Sequence, residues 1–264
     1  MSAENGSLRG KRAYITGGNQ GIGAATARRF AAAGAAIALF DLREDGMAAL
    51  CDELRGAGAT VAAFPADVTD PAAVEAAFAS ATQALGGPDI LMNAAGIFHA
   101  APLTEYPLEI FRKVLDVNVT GTLICTQAAL RHMVPAGGGR IINLASIAGR
   151  LGGPFVAAYS ASKHAVIGLT RVSANEMAKH GVTVNAICPG YVNTEMYDGV
   201  VKMYGELLGE PDIEALRTRR LKGVPLGRMV EAEEIAGLAL YLAGPDAHGM
   251  TGQALTLDGG IVMQ

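Results

Sequence analysis

Short apolar runs alternating with longer helical patterns constrain this chain most. Seven runs read as buried strands: Lys11–Thr16, Ala36–Phe40, Val61–Phe64, Ile90–Met92, Arg140–Leu144, Thr183–Cys188 and Ala254–Leu257. Most are separated by helical patterns of about a dozen residues or more, long enough for the crossover that parallel strands require. Examples are Ala24–Ala33, Pro71–Leu85, the long stretch from Leu108 to about Met133, and Ala158–Lys179 with Gly181 as its stop. This pattern predicts one α/β domain whose seven-stranded parallel sheet carries helices on both faces. With 264 residues, half of them apolar, the chain can bury such a core. No internal repeat or low-complexity linker divides it.

The chemistry-bearing residues fall just past the carboxyl ends of these runs, where ligands bind in open parallel sheets. The first run leads into Gly17-Gly18-Asn19-Gln20-Gly21-Ile22-Gly23 and then an Ala-rich helix. Strand, glycine turn and helix together suit a dinucleotide pyrophosphate, because small residues allow close approach and the helix start offers unpaired N–H groups. The spacing is Gly-x-x-x-Gly-x-Gly, and a packing role for such a turn stays open. Asp41 and Leu42 end the second run, about twenty residues on, where the adenosine ribose is expected. A carboxylate there accepts from both ribose hydroxyls and repels a 2′-phosphate, which favours NAD over NADP. Arg43 argues the other way, Gln20 adds no positive charge, and Asp41 as a helix cap is the plainer alternative. Asp67 and Val68 would hold the adenine edge, leaving Asp70-Pro71 to cap the next helix. Asn93, Ala94, Ala95 and Gly96 would let backbone approach the ribose.

Tyr159 and Lys163 stand four residues apart in a helical pattern, so their side chains share a face, and Ser146 lies upstream at a strand end. A free phenol titrates near 10, and bringing it toward neutrality takes about 4 kcal/mol. One cation about 4 Å away supplies a term of that order at a moderate effective dielectric. Lys163 is therefore expected to make Tyr159 acidic, and an oxidised nicotinamide ring nearby would add to the effect. Asn118 interrupts the long helical stretch, where an amide competes for backbone partners and a kink is expected.

Bulk properties exclude several other classes. The formal charge of −4 argues against a nucleic-acid footprint, and no polybasic run marks an anionic membrane. Cys51, Cys125 and Cys188 are scattered like reduced thiols, and the five histidines form no ligand pair, so no protein-built metal site is expected. The start, residues 1–6, lacks a charged segment followed by an apolar one, and no apolar run approaches the ~18 residues needed to span a bilayer. A cytoplasmic location is expected.

Taken together, Thr16-Gly17-x-x-x-Gly21-Ile22-Gly23, Asp67-Val68, Asn93-Ala94-Ala95-Gly96, Asn118, Ser146, Tyr159-x-x-x-Lys163 and Pro189-Gly190 with Thr194 resemble the short-chain dehydrogenase/reductase family over nearly the full length. The resemblance implies a single Rossmann-like domain over 1–264 and reversible hydride transfer between a secondary alcohol and NAD. Tyr159 would be the general acid/base, and Lys163 would lower its pKa and bind the nicotinamide ribose. Ser146 would hold the substrate oxygen, Asn118 would anchor a relay water, and Val192 and Thr194 would position the carboxamide. His99, Phe155, Tyr191 and Tyr197 are expected in the substrate pocket, beneath a lid at about 195–224. A small polyol, vicinal diol or hydroxyketone is the expected substrate. Two alternatives stay open: a 3-oxoacyl carrier protein reductase, which usually goes with NADPH, and a non-catalytic dinucleotide-binding protein. The resemblance also implies a homotetramer built on the helices around 108–133 and 158–180, with the tail 261–264 reaching a neighbour.

Overall fold

The computed structural model describes residues 7–263. The expectations for residues 1–6 and for Gln264 lie outside the described residues. Seven strands, β1 (Arg12–Thr16), β2 (Ala36–Asp41), β3 (Val61–Pro65), β4 (Ile90–Asn93), β5 (Gly139–Leu144), β6 (Val182–Pro189) and β7 (Ala254–Leu257), form one sheet. Its order is β3-β2-β1-β4-β5-β6-β7, and every pair is parallel. The expected strands are all present, with ends shifted by a residue or so.

The helices are α1 (Gly21–Ala32), α2 (Glu44–Gly56), α3 (Pro71–Leu85), α4 (Leu108–Leu115), α5 (Gly121–Ala136), α6 (Ala157–Met177), α7 (Glu195–Leu208), α8 (Ile213–Leu221) and α9 (Ala232–Ala243). Because strand side chains alternate, odd and even positions go to opposite faces. Ala13, Ile15, Ile37, Leu39, Ile90 and Met92 pack with α1, α2 and α9. Tyr14, Ala38, Phe40 and Leu91 pack with α3 and α5. The resulting Rossmann-like domain reverses its winding at β1, which lies between β2 and β4, and a crevice opens there at the strands' carboxyl ends.

Local signals set the boundaries. Asp70 caps α3 by accepting from the Ala72 and Ala73 amides, with Pro71 following. Gly181 closes the segment after α6 at φ 70°. The helical stretch from Leu108 is interrupted at Asn118, where a kink is expected, by a π-turn, Asp116–Thr120. Such wide turns take up an inserted residue and re-aim the side chain they carry.

A polar seam crosses the apolar interior. Asn93 of β4 and Asn143 of β5 are direct register partners, and the Asn93 amide donates to Asn143 Oδ1 (2.9 Å) and Thr126 Oγ1 (3.1 Å). Asn143 Nδ2 donates in turn to Thr170 Oγ1 at 2.9 Å. All four side chains are buried. No helix among the described residues is long and apolar enough to cross a membrane.

Candidate active site

The glycine turn is shaped by steric need. Gly17 has φ +64°, and a Cβ there would sit 2.7 Å from the Ala95 nitrogen. A Cβ on Gly23 would come within 2.0 Å of the Gly17 carbonyl oxygen, so α1 can pack onto the turn only without a side chain. Gln20 occupies the N-cap of α1 without a side-chain capping bond, leaving the first-turn amides open to a ligand.

Beside this turn runs a cleft of about 1030 Å³, roomy enough for a dinucleotide. Its walls include Gly17, Asn19, Gln20, Gly21, Ile22 and Gly23 from the turn, Asp41 and Leu42 from β2, and Asp67 and Val68 from β3. Ala94 and Gly96, just past β4, line it as well, as does Thr194 at the N-cap of α7. The residues present therefore fit an elongated diphosphate-bearing ligand. Asp41 does not cap a helix; Arg43 is the N-cap of α2. Its carboxylate accepts from the Asn19 and Arg43 amides, each at 3.2 Å, while the Arg43 guanidinium is held by Gln20 Oε1 at 2.7 Å. Asp67 Oδ1 is taken by the Thr69 amide and hydroxyl.

Other expected contacts play a different local part. The Asn93 side chain is spent on the seam with Thr126 and Asn143. Val192 is buried in the core beside α1 and α9 and bridges to Val230. Gly190 lies beneath the cleft, where a Cβ would meet Asp258 at 2.7 Å, and Pro189 ends β6.

Four side chains gather beyond Gly96. The π-turn aims Asn118 so that its Oδ1 accepts from the Ile97 amide (2.8 Å) and its Nδ2 donates to the Ile97 carbonyl (3.0 Å) and Ser162 Oγ (3.0 Å). Ser162 donates to the Tyr159 carbonyl at 2.7 Å, tying the turn to α6. Sequence reasoning passed over Ser162, although its place beside Lys163 was a usable signal. Lys163 is 4% exposed, and its ammonium donates to the Leu144 carbonyl at 2.7 Å. It also sits 5.5 Å from the Tyr159 ring centroid. Ser146 accepts from the Ala148 amide, which fixes its rotamer, and its hydroxyl stands beside the phenol.

The electrostatics correct one expectation. Burial pushes the Tyr159 phenol up to about 12, and only the Ser146 hydrogen bond acts downward. Burial also pulls Lys163 down to about 8. The ammonium is committed to Leu144 and lies over the ring rather than at the oxygen, so loss of hydration outweighs its attraction. Without a bound coenzyme, burial therefore works against the acidity expected of Tyr159.

The expected substrate-pocket residues divide. Phe155, Tyr191 and Tyr197 join Phe98 and Tyr159 in one apolar cluster with α7 and α8. The Phe98 ring meets Tyr159 edge-on at 5.0 Å. Phe155 adopts φ +68°, an unfavourable conformation for a bulky residue, and its carbonyl receives the Ala101 amide. His99 instead faces Tyr106, whose hydroxyl donates to its carbonyl. Arg220, which sequence reasoning did not single out, stacks among three tyrosines of this cluster.

Comparison with known proteins follows this geometry closely. A family model described as enoyl-(acyl carrier protein) reductase matches residues 17–262. A D-beta-hydroxybutyrate dehydrogenase from Rhizobium meliloti is 39% identical over 96% of this chain and 99% of its own length. A sorbitol dehydrogenase from Cereibacter sphaeroides is 39% identical over 96% and 98%. Among solved structures, a variant actinorhodin polyketide ketoreductase with NADPH superposes with a TM-score of 0.92. It is 35% identical and 99% of each chain is covered.

Proposed function

Because this chain belongs to the short-chain dehydrogenase/reductase family of oxidoreductases acting on CH–OH groups, we propose that it interconverts a small secondary alcohol and its ketone with NAD. The observation that carries the reading is the gathering of Ser146, Tyr159, Lys163 and Asn118 behind Gly96, which lines the cleft. When bound, the nicotinamide dinucleotide supplies the hydride acceptor or donor. Tyr159 transfers the hydroxyl proton, and Ser146 holds the oxygen. Both make bonds that strengthen as charge develops on that oxygen. Lys163 binds the ribose and adds positive charge beside the phenol. Asn118 fixes Ile97 and the approach to Gly96, and its π-turn is the place for a relay water. Thr194 and the backbone near Val192 orient the carboxamide end.

Asp41 supports NAD, since its carboxylate faces the cleft where a 2′-phosphate would bring like charge. Replacing Asp41 with Ser is expected to raise the NADP-to-NAD ratio of kcat/KM by about tenfold or more, one unit charge being worth at least ~1.4 kcal/mol at close range. An unchanged ratio in steady-state assays would separate Asp41 from coenzyme choice. Ketoreductase relatives favour a second reading, reduction of an oxoacyl group with NADPH, which the same assay tests. Within the first reading, the sorbitol dehydrogenase relative favours a polyol or hydroxyketone, and α7 with α8 forms a lid over it. Tetramer assembly through α5 and α6, and a cytoplasmic location, complete the proposal.

The central experiment is Tyr159→Phe. It is expected to lower kcat about 10²–10⁴-fold, the range for a positioned acid/base, with NADH binding retained. Near-normal turnover would remove Tyr159 from the reaction.

A further inference from the structure

Arg220, next to last in α8, packs its guanidinium among aromatic rings instead of against an acid. Its Cζ lies 4.5 Å from the Tyr204 ring centroid, 4.7 Å from Tyr191 and 5.9 Å from Tyr197. The other two arginines of α8 are neutralised, Arg217 by Asp198 and Glu214, Arg219 by Glu210. Arg220 makes no ion pair among the described residues, and its buried Nε lacks a hydrogen-bond partner. Beside it, Tyr197 is 6% exposed, and its hydroxyl reaches toward the Arg220 guanidinium without the geometry of a full hydrogen bond.

The aromatic faces offset part of the cost of removing a cation from water, and the Tyr197 and Tyr204 hydroxyls lie against the guanidinium, but none of these groups neutralises it. Nor are the tyrosines counter-ions, because burial holds the Tyr197 and Tyr204 phenols above their ordinary range. A half-buried cation with no ion pair among the described residues, its Nε unfilled and a buried hydroxyl against it, suits a complementary anion. The same rings connect them to Tyr159. Tyr191 follows β6, its ring lies 5.3 Å from that of Tyr197, and both share an apolar cluster with Phe98, Phe155 and Tyr159.

We infer that Arg220, with the Tyr197 hydroxyl, receives a carboxylate on the substrate, so that the alcohol is a hydroxy acid and the ketone an oxo acid. The inference rests on the oxidoreductase reading and replaces its neutral substrate by an anionic one. A planar guanidinium presents paired donors that match a carboxylate, and it stays charged at any working pH. Apolar walls from the cluster would hold the short carbon chain between the carboxylate and the carbon facing Tyr159.

The test uses the full chain with saturating coenzyme and a series of oxo acids (2-oxobutyrate, acetoacetate, 4-oxopentanoate, 5-oxohexanoate), each beside its methyl ester. At least one acid is expected to exceed its ester in kcat/KM by about thirtyfold or more, the effect of one desolvated charge pair. Arg220→Met should abolish that preference by raising KM for the acid, leaving the ester's constants and the coenzyme KM unchanged. Arg220→Lys should restore part of it, which separates recognition from loss of packing. Turnover of esters, diols or neutral ketones with no preference for any acid would overturn the assignment while the oxidoreductase reading stands. So would an acid preference that survives Arg220→Met in a variant melting like the parent. Absence of turnover of any alcohol or ketone with either coenzyme would overturn both.

Discussion

At the scale of single residues, the Tyr159–Lys163 pair divides into a geometric part and an energetic part. Spacing alone placed both side chains on one face of α6, and they do meet. The acidity expected of the phenol did not follow, because spacing says nothing of how deeply a ring is buried or where an ammonium spends its hydrogen bond. In the coenzyme-free chain burial holds the phenol up, at about 12. Alcohol oxidation needs the phenolate, so its kcat/KM is expected to climb about tenfold per pH unit through the neutral range while ketone reduction stays level. An oxidation profile already flat from about pH 6 to 8 would mean that bound coenzyme lowers the phenol far more than these surroundings imply. Arg220 shows the converse limit. Its number gave no signal among the many charges after residue 195, since what singles it out is the lack of an ion pair among the described residues once the chain is folded.

At the scale of elements, strands and caps were the most legible features. Each buried strand is a run of apolar residues closed by a turn, and the Asp70-Pro71 pair marks the start of α3 in the sequence itself. Removing that cap with Asp70→Ala frees two amides and should cost about 1 kcal/mol, lowering the melting temperature by about 2–4 °C. Calorimetry showing no shift would mean that water or a neighbour replaces the carboxylate. The break between α4 and α5 was legible only as an anomaly, an asparagine in a helical stretch. That it is a π-turn, and that it clamps Ile97, depends on a loop about twenty residues earlier in the chain. Likewise α7 and α8 were expected only as short helices over the cleft. Their apolar contacts with Phe98 and Tyr159 come from segments that sequence order separates widely.

For the whole molecule, the order of the sheet does what no motif does alone: it brings the carboxyl ends of β1, β4, β5 and β6 beside one another. Assembly is the least local property. Leu123 on α5 and Val172 on α6 remain exposed in the isolated chain, at 39% and 56%. In the proposed tetramer these helices face their mates, so Val172→Glu is expected to shift the light-scattering mass from four chains toward two or one. An unaltered tetramer would place the contact elsewhere. The asparagine seam between β4 and β5 bears on how such a chain reaches its sheet at all. Aliphatic neighbours are nearly interchangeable, so strands made only of them can align in several offsets at similar energy. Two amides joined by one hydrogen bond, and to Thr126 and Thr170 beside them, penalise other alignments by stranding more polar groups in a dry interior. Exchanging both for leucine would therefore be expected to speed misaligned trapping during refolding more than it weakens the finished fold.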